Sequence, residues 1–440
     1  MAVSRRGFIG GGAASALSIA FAGSLDSIFQ TTAEAATGTR EAYGYGPLVA
    51  DPQGVLDLPR GFSYRPLSAE GDPIAPGVVV PGHHDGTATF PGTHRHTTRL
   101  VRNHEQGTDG TKAVAPSSLV YDPEAWGGTT TLEVDDRAKL VSQHVSLAGT
   151  ATNCAGGRTP WGTWLSCEET EGFEGESKSH GWVFEVDPGG RRTKPVPIEP
   201  LGRFPHEAVC IDPRDHTAYL TEDAAKPFGL LYRFTPRSRH GGYHSYQAGG
   251  TLEAMYVPDV PDLSVVQEPG TTFRHVRWVK VPDPSAATTS TRKQFEKITR
   301  SQKLEGAWWS GGAAYFVASY AHTADGAAAA HAGQVWRYHP RQGTLELYTI
   351  FKPGGTFDGP DNITVSPYGG GVVLAEDGDG EQHLIGTTRQ GEPFAIARNA
   401  FNGSEFTGVT FSDDGRTLFA NRQEPGVTFA IIGPWRHIGR

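Results

Sequence analysis

His206-Glu207-Ala208-Val209-Cys210-Ile211-Asp212-Pro213, then a short turn, then Ala218-Tyr219-Leu220-Thr221-Glu222-Asp223, reads as two apolar strands with acidic residues gathered at one end. A second stretch repeats the design: Pro360-Asp361-Asn362-Ile363-Thr364-Val365, a glycine turn, and Val372-Val373-Leu374-Ala375-Glu376-Asp377. Glu207 and Glu222 are 15 residues apart, and so are Asp361 and Glu376, and Asn153 and Glu168. Looser copies begin at Glu305 and Glu405. Third strands of shared appearance follow several units, at Trp182–Pro188, Leu231–Pro236 and Val335–Pro340.

Self-similarity of this kind marks a radial or linear repeat. Units begin at Asn153, Glu207, Glu305, Asp361 and Glu405, and the wide gap before Glu305 holds an irregular stretch from about Arg239 to Arg300, read as an insertion. Residues ahead of Asn153, including Val101–Glu105, leave room for one more unit. The expectation is an all-β, six-bladed β-propeller, an architecture whose rotation protects sheet edges. Composition agrees: Gly and Pro make up a fifth of the 440 residues without a collagen period, as many tight turns require.

Blades begin with a strand beside the central axis, so residues at one repeat position form a ring. Asn153 or Cys154, Glu207, Glu305, Asp361 and Glu405 are expected there, with Glu168, Glu222 and Glu376 at the ends of second strands. So many carboxylates in one low-dielectric place repel one another unless cations sit among them. Cys154 is read as opening a Gly156-Gly157 loop that allows close approach to an ion, whereas Cys167 and Cys210 lie in apolar strands as small hydrophobes. His104 and His206 are assigned supporting roles.

The net charge of −9 disfavours nucleic acid and anionic membranes as partners. Ser4-Arg5-Arg6-Gly7-Phe8-Ile9, a weakly apolar stretch to Leu25, and Ala33-Glu34-Ala35 resemble a twin-arginine export signal with its cleavage site. Residues 1–35 are therefore expected to be that signal, read by the twin-arginine machinery, and 36–440 a single propeller domain without stable membrane insertion.

The run Asn153-Cys154-Ala155-Gly156-Gly157-Arg158-Thr159-Pro160-Trp161-Gly162-Thr163-Trp164-Leu165-Ser166-Cys167-Glu168-Glu169 resembles the signature of the PhoX alkaline phosphatases. Asn103-His104-Glu105, His206-Glu207, Leu304-Glu305-Gly306 and Pro360-Asp361-Asn362 are similar to that family's other motifs, in the same order. The resemblance implies a secreted or cell-envelope enzyme, a monomer, that releases phosphate from small phosphomonoesters with ferric iron (Fe3+) and calcium (Ca2+). On the same basis Cys154 matches an iron-ligating cysteine, and Glu207 and Glu305 match ligands near the iron. Asp361, Asn362 and Glu376 match ligands on the calcium side, with Glu105 and Glu168 as further ligands.

Where the family carries a phosphate-gripping arginine two residues before the matched glutamate, this chain has Lys303, which keeps the charge but loses the bidentate fork. Arg203 and Arg158 are weaker candidates for gripping the phosphate, each read first as a surface or structural arginine. Read without the resemblance, the same residues also suit a calcium-only propeller hydrolase, lactonase-like or phytase-like, or a secreted propeller that binds a partner. Cys154 would have no task in either.

Overall fold

The computed structural model describes residues 44–369 and 371–436, and the expected export signal lies outside them. The expectation of a six-bladed propeller is met. The inner strands are His84–Pro91, Asn153–Arg158, His206–Ile211, Leu304–Ser310, Pro360–Val365 and Phe406–Phe411. Each begins an antiparallel sheet, each touches the next around the axis, and the last touches the first. The further unit expected ahead of Asn153 is the first blade, His84–Thr150, with Thr97–His104 as its second strand.

Alternation along the strands sends apolar side chains into the gaps between blades. Each of the six gaps holds its own core. Trp336 and Phe316 of the fourth blade pack with Tyr219 of the third, and Leu100 and Leu132 of the first with Phe419 of the sixth. Emptying such a gap with one Leu→Ala or Phe→Ala change costs about 2–5 kcal/mol.

The ring is closed without a covalent bond. Ser63–Ala69, from the N-terminal side, pairs along Val427–Ile432, from the C-terminal side, to complete the sixth blade. The stretch from 239 to 300 is less of an intrusion than its sequence suggests. It supplies outer strands Gly250–Tyr256 and Arg277–Lys280 to the third blade and Thr272–Phe273 to the fourth. Among the described residues no helix is long and apolar enough to cross a membrane.

Candidate metal centre

Every inner strand is kinked near its start. Register slips by one residue between His84 and Thr87, Asn153 and Gly156, His206 and Val209, Leu304 and Ala307, Pro360 and Ile363, and Thr407 and Thr410. A bulge leaves a residue unpaired and re-aims its side chain. Five of these slips begin one residue before Asp85, Cys154, Glu207, Glu305 and Asp361. The residues that follow are small where inner strands press together: a Cβ on Gly86 would stand 2.5 Å from Ala155 Cα, and one on Gly306 2.6 Å from Asp361 O.

A second set of side chains enters from the far arm of each inner hairpin. The amides of Glu105, Glu169, Ser319, Asp377 and Gln423 donate to the carbonyls of His83, Thr152, Lys303, Gly359 and Glu405. These bonds tie the tops of five of the six hairpins and bring one more residue from each of those blades to the axis. His83, Thr152, Lys303 and Gly359 all have left-handed backbone, φ between 46° and 53°. For a lysine that conformation costs about 1–2 kcal/mol, and the Lys303 side chain meets Asp223 of the neighbouring blade.

The ring is populated as four overlapping groups: Asp85, Glu105 and Cys154; Cys154, Glu169 and Glu207; Glu207, Glu305 and Asp361; Asp361, Asp377 and Glu405. Within each group the candidate ligand atoms lie within 4.8 Å of one another, and Cys154, Glu207 and Asp361 are shared. Cys154 Sγ is 3.2 Å from Glu207 Oε1 and 3.7 Å from Asp85 Oδ2. One cation intrudes: Lys303 Nζ lies 3.1 Å from Asp223 Oδ2 and contacts Glu305 Oε1.

The electrostatics are those of a site built for more positive charge than the chain supplies. Burial pushes the Cys154 thiol well above its ordinary value, and the charges of Asp85, Glu207, Glu105 and Glu169 push it further. Burial likewise holds Glu207 and Glu305 far above the carboxylate range, reinforced at Glu207 by Glu305, Glu169 and Asp361, and only partly offset at Glu305 by Lys303. Glu207 Oε2 is buried and makes no hydrogen bond among the described residues. An orphaned carboxylate oxygen beside a thiol and other carboxylates fits a metal ligand and fits nothing apolar. One soft sulfur among hard oxygens suits a mixture of a transition metal and an alkaline-earth ion.

The structure brings together Glu105, Cys154, Glu207, Glu305 and Asp361 of the expected ligands, together with Glu405. It places Glu168, Glu222 and Glu376 elsewhere. Glu168 accepts from the amides of Ala151, Gly181 and Trp182 and pairs with His180. Glu222 holds Arg292 and the Tyr232 hydroxyl, and Glu376 holds the Asp358 and His383 amides and the His383 ring. The physical reason is the period of two: Glu169, Asp223 and Asp377, one residue on, turn toward the axis instead. Asn362 spends its side chain on Asp361 Oδ1, at 3.0 Å, and on the Gly408 amide.

Arg203 donates to the carbonyls of His180 and Glu171 at 2.8 and 2.7 Å, which pins a loop rather than facing the cluster. Arg158 sits at the opposite end of its strand, 2.6 Å from Asp413. His104 and His206 each bond a main-chain carbonyl, of Gly82 and Gly202, in keeping with their supporting role. All three cysteines are free and buried. Cys154 is in a strand, not a loop, and the space that Gly156 and Gly157 leave is filled by the Leu165 and Val209 carbonyls, not by an approaching ion.

Sequence reading missed Asp85, Glu169, Asp377 and Gln423. Glu169, Asp223 and Asp377 each follow an acidic residue already singled out, so the doublets Glu168-Glu169, Glu222-Asp223 and Glu376-Asp377 were the usable signal. Asp85 follows two histidines in a strand that matched no other unit.

The family model described as alkaline phosphatase PhoX matches residues 43–145 and 136–426. No curated protein matches the chain. Among solved structures, it is similar to Pseudomonas fluorescens PhoX in complex with vanadate, a transition state analogue: 17% identity, 86% of this chain and 96% of that one covered, TM-score 0.66. A gluconolactonase from Xanthomonas campestris follows at 13% identity, with 88% and 98% covered and a TM-score of 0.47. TolB from Acinetobacter baumannii follows at 11%, with 78% and 65% covered and a TM-score of 0.35.

Proposed function

This chain belongs to the alkaline phosphatase PhoX family, and on that premise we propose that it hydrolyses phosphate monoesters outside the cytoplasm with iron and calcium held at the propeller axis. The observation that carries the reading is the arc of four groups joined by Cys154, Glu207 and Asp361. Ferric iron belongs at the thiol end, with Cys154, Asp85, Glu105, Glu169 and Glu207 as its holders. Calcium belongs at the all-oxygen end, with Glu305, Asp361, Asp377 and Glu405. Bound there, the ions supply positive charge to the phosphoryl oxygens and to the attacking oxygen.

The chain's own contributions are positional. Bulges aim Asp85, Cys154, Glu207, Glu305 and Asp361, and hairpin-closing bonds aim Glu105, Glu169 and Asp377. Lys303, gripped by Asp223 and Glu305, presents an ammonium to a phosphoryl oxygen as a single point charge where a guanidinium would offer a fork. Glu168, Glu376, Asn362 and Arg203 fix the frame around the ligands. Residues 1–35 serve as the twin-arginine signal, 36–440 as the enzyme, and the protein acts as a monomer on small phosphomonoesters.

The test is metal content by mass spectrometry on protein exported by its own signal, paired with p-nitrophenyl phosphate hydrolysis before and after chelation. Iron with calcium, chelator-sensitive turnover, and loss of both iron and activity in Cys154→Ala are expected. Calcium without iron, and no hydrolysis, would overturn the reading. Replacing Arg5 and Arg6 by lysine should leave the precursor inside the cell.

A further inference from the structure

At the bulge and at the hairpin-closing position the sixth blade carries Thr407 and Gln423, where most other blades carry an acid, and its carboxylate, Glu405, enters just ahead of the inner strand at the other end of the arc. Gln423 is buried, and its amide nitrogen donates to Glu105 Oε2 at 2.8 Å and to Asp85 Oδ2 at 3.2 Å. Two residues earlier, on the strand that ends at Arg422, the Asn421 amide nitrogen donates to the main-chain carbonyl of Asp85 at 2.7 Å. The Thr407 hydroxyl donates to the carbonyl of His84 at 2.6 Å. The closing blade therefore grips the first blade's inner strand by backbone and by side chain at the same residue.

Both hydrogens of one neutral amide are thus committed to two carboxylates of a single group. That fixes the rotation of each carboxylate and leaves Asp85 turned toward the Cys154 sulfur. A carboxylate at position 423 would instead add a fifth carboxylate at that end, and an apolar side chain would remove both of these bonds. We infer that Gln423 is a positioning residue that orients Asp85 and Glu105 toward Cys154 and thereby sets how tightly the thiol end of the arc holds its metal. The inference rests on the metal reading above.

Cobalt(II) serves as the probe, because thiolate coordination gives it a charge-transfer absorption that Cys154→Ser abolishes. The metal-free protein is titrated with cobalt(II) against a competing chelator, in the parent, in Gln423→Leu and in the nearly isosteric Gln423→Glu. Partners that orient a ligand typically change affinity by about 10–100-fold, so Gln423→Leu should bind cobalt at the thiol end that much more weakly and with a shifted band, and Gln423→Glu, which also adds a charge that attracts the cation, should shift the band. Calcium content should stay at the parental level. A variant with parental near-ultraviolet circular dichroism that keeps the parental affinity and band overturns the inference. If Gln423→Leu fails to fold, Gln423→Glu decides by the band alone. A parent protein that shows no thiolate band overturns the metal reading, and the inference with it.

Discussion

Glu168 and His180 form a fully buried pair, Oε1 to Nδ1 2.7 Å, that anchors the loop following the second strand of the second blade. The next residue, Glu169, belongs instead with Cys154 and Glu207. Two adjacent glutamates therefore have separable tasks. Glu168→Ala strands three amides and a buried imidazole and should cost about 3–5 kcal/mol in chemical denaturation, with ligand geometry for metal otherwise kept. Glu169→Gln should leave the denaturation midpoint of the metal-free protein unchanged or raised and should lower metal content. The reverse pattern would mean the period-two assignment is out of phase.

Lys303 touches Asp223 from the third blade and Glu305 from its own. Losing a charged hydrogen bond to a phosphoryl oxygen is worth about 1.5–3 kcal/mol, or about 10–100-fold in kcat/KM. Lys303→Met should fall in that range with p-nitrophenyl phosphate, and Lys303→Arg should keep most of the activity. Equal kcat/KM in Lys303→Met and the parent would remove this side chain from the phosphate site.

Metal removal should loosen the whole ring, since the candidate ligands come from all six blades or their connections. A ligand held at a hundred times its Kd stabilises by about 2.7 kcal/mol. Chelation should therefore lower Tm by several degrees, and calcium should restore part of the loss. An unchanged Tm would show that the carboxylates are stable together without cations.

Glu133 gives a pH signature remote from the metals. Burial raises its pKa, but bonds from the Thr93 and Thr97 hydroxyls and the Thr93 amide, with the charge of Arg99, more than reverse this, to about 2. A depressed carboxylate stabilises fully above its unfolded value, about 4.3, and loses that contribution as pH falls toward about 2. Glu133→Gln should lower stability at neutral pH and flatten the decline across that window. A parallel decline in both proteins would count against the assignment.

The fold was legible because the hairpins repeat their apolar alternation and their acidic ends, and six gaps between blades accept the side chains that the alternation predicts. Where the repeat was read, the candidate site was legible to within one residue, and Asp85 lay outside the repeat. Equating Asn153 with Glu207 and Asp361 follows from a spacing of 15, but the pairing matches Asn153 to Glu168, His206 to Glu222 and Pro360 to Glu376. Cys154, Glu207 and Asp361 are the true equivalents. The turns differ by a residue from blade to blade, and a bulge leaves no mark in composition or spacing, so the phase of the ring could not be read from one chain. Once the phase is set, alternation carries Glu168, Glu222 and Glu376 to one side and their neighbours to the other.

Gln423 meets Glu105 across 318 residues of sequence, and the strand behind Gln423 is completed by the N-terminal Ser63–Ala69. During synthesis the first half-site emerges early and waits, unclasped, until the last strand has been made and has found the first. The ring's fastening and the clasp on Asp85 and Glu105 are the same event. A chain whose ends have not met lacks the clasp however well its middle blades have folded, so on the inference drawn above secure capture of metal at the thiol end would certify that the circle is complete.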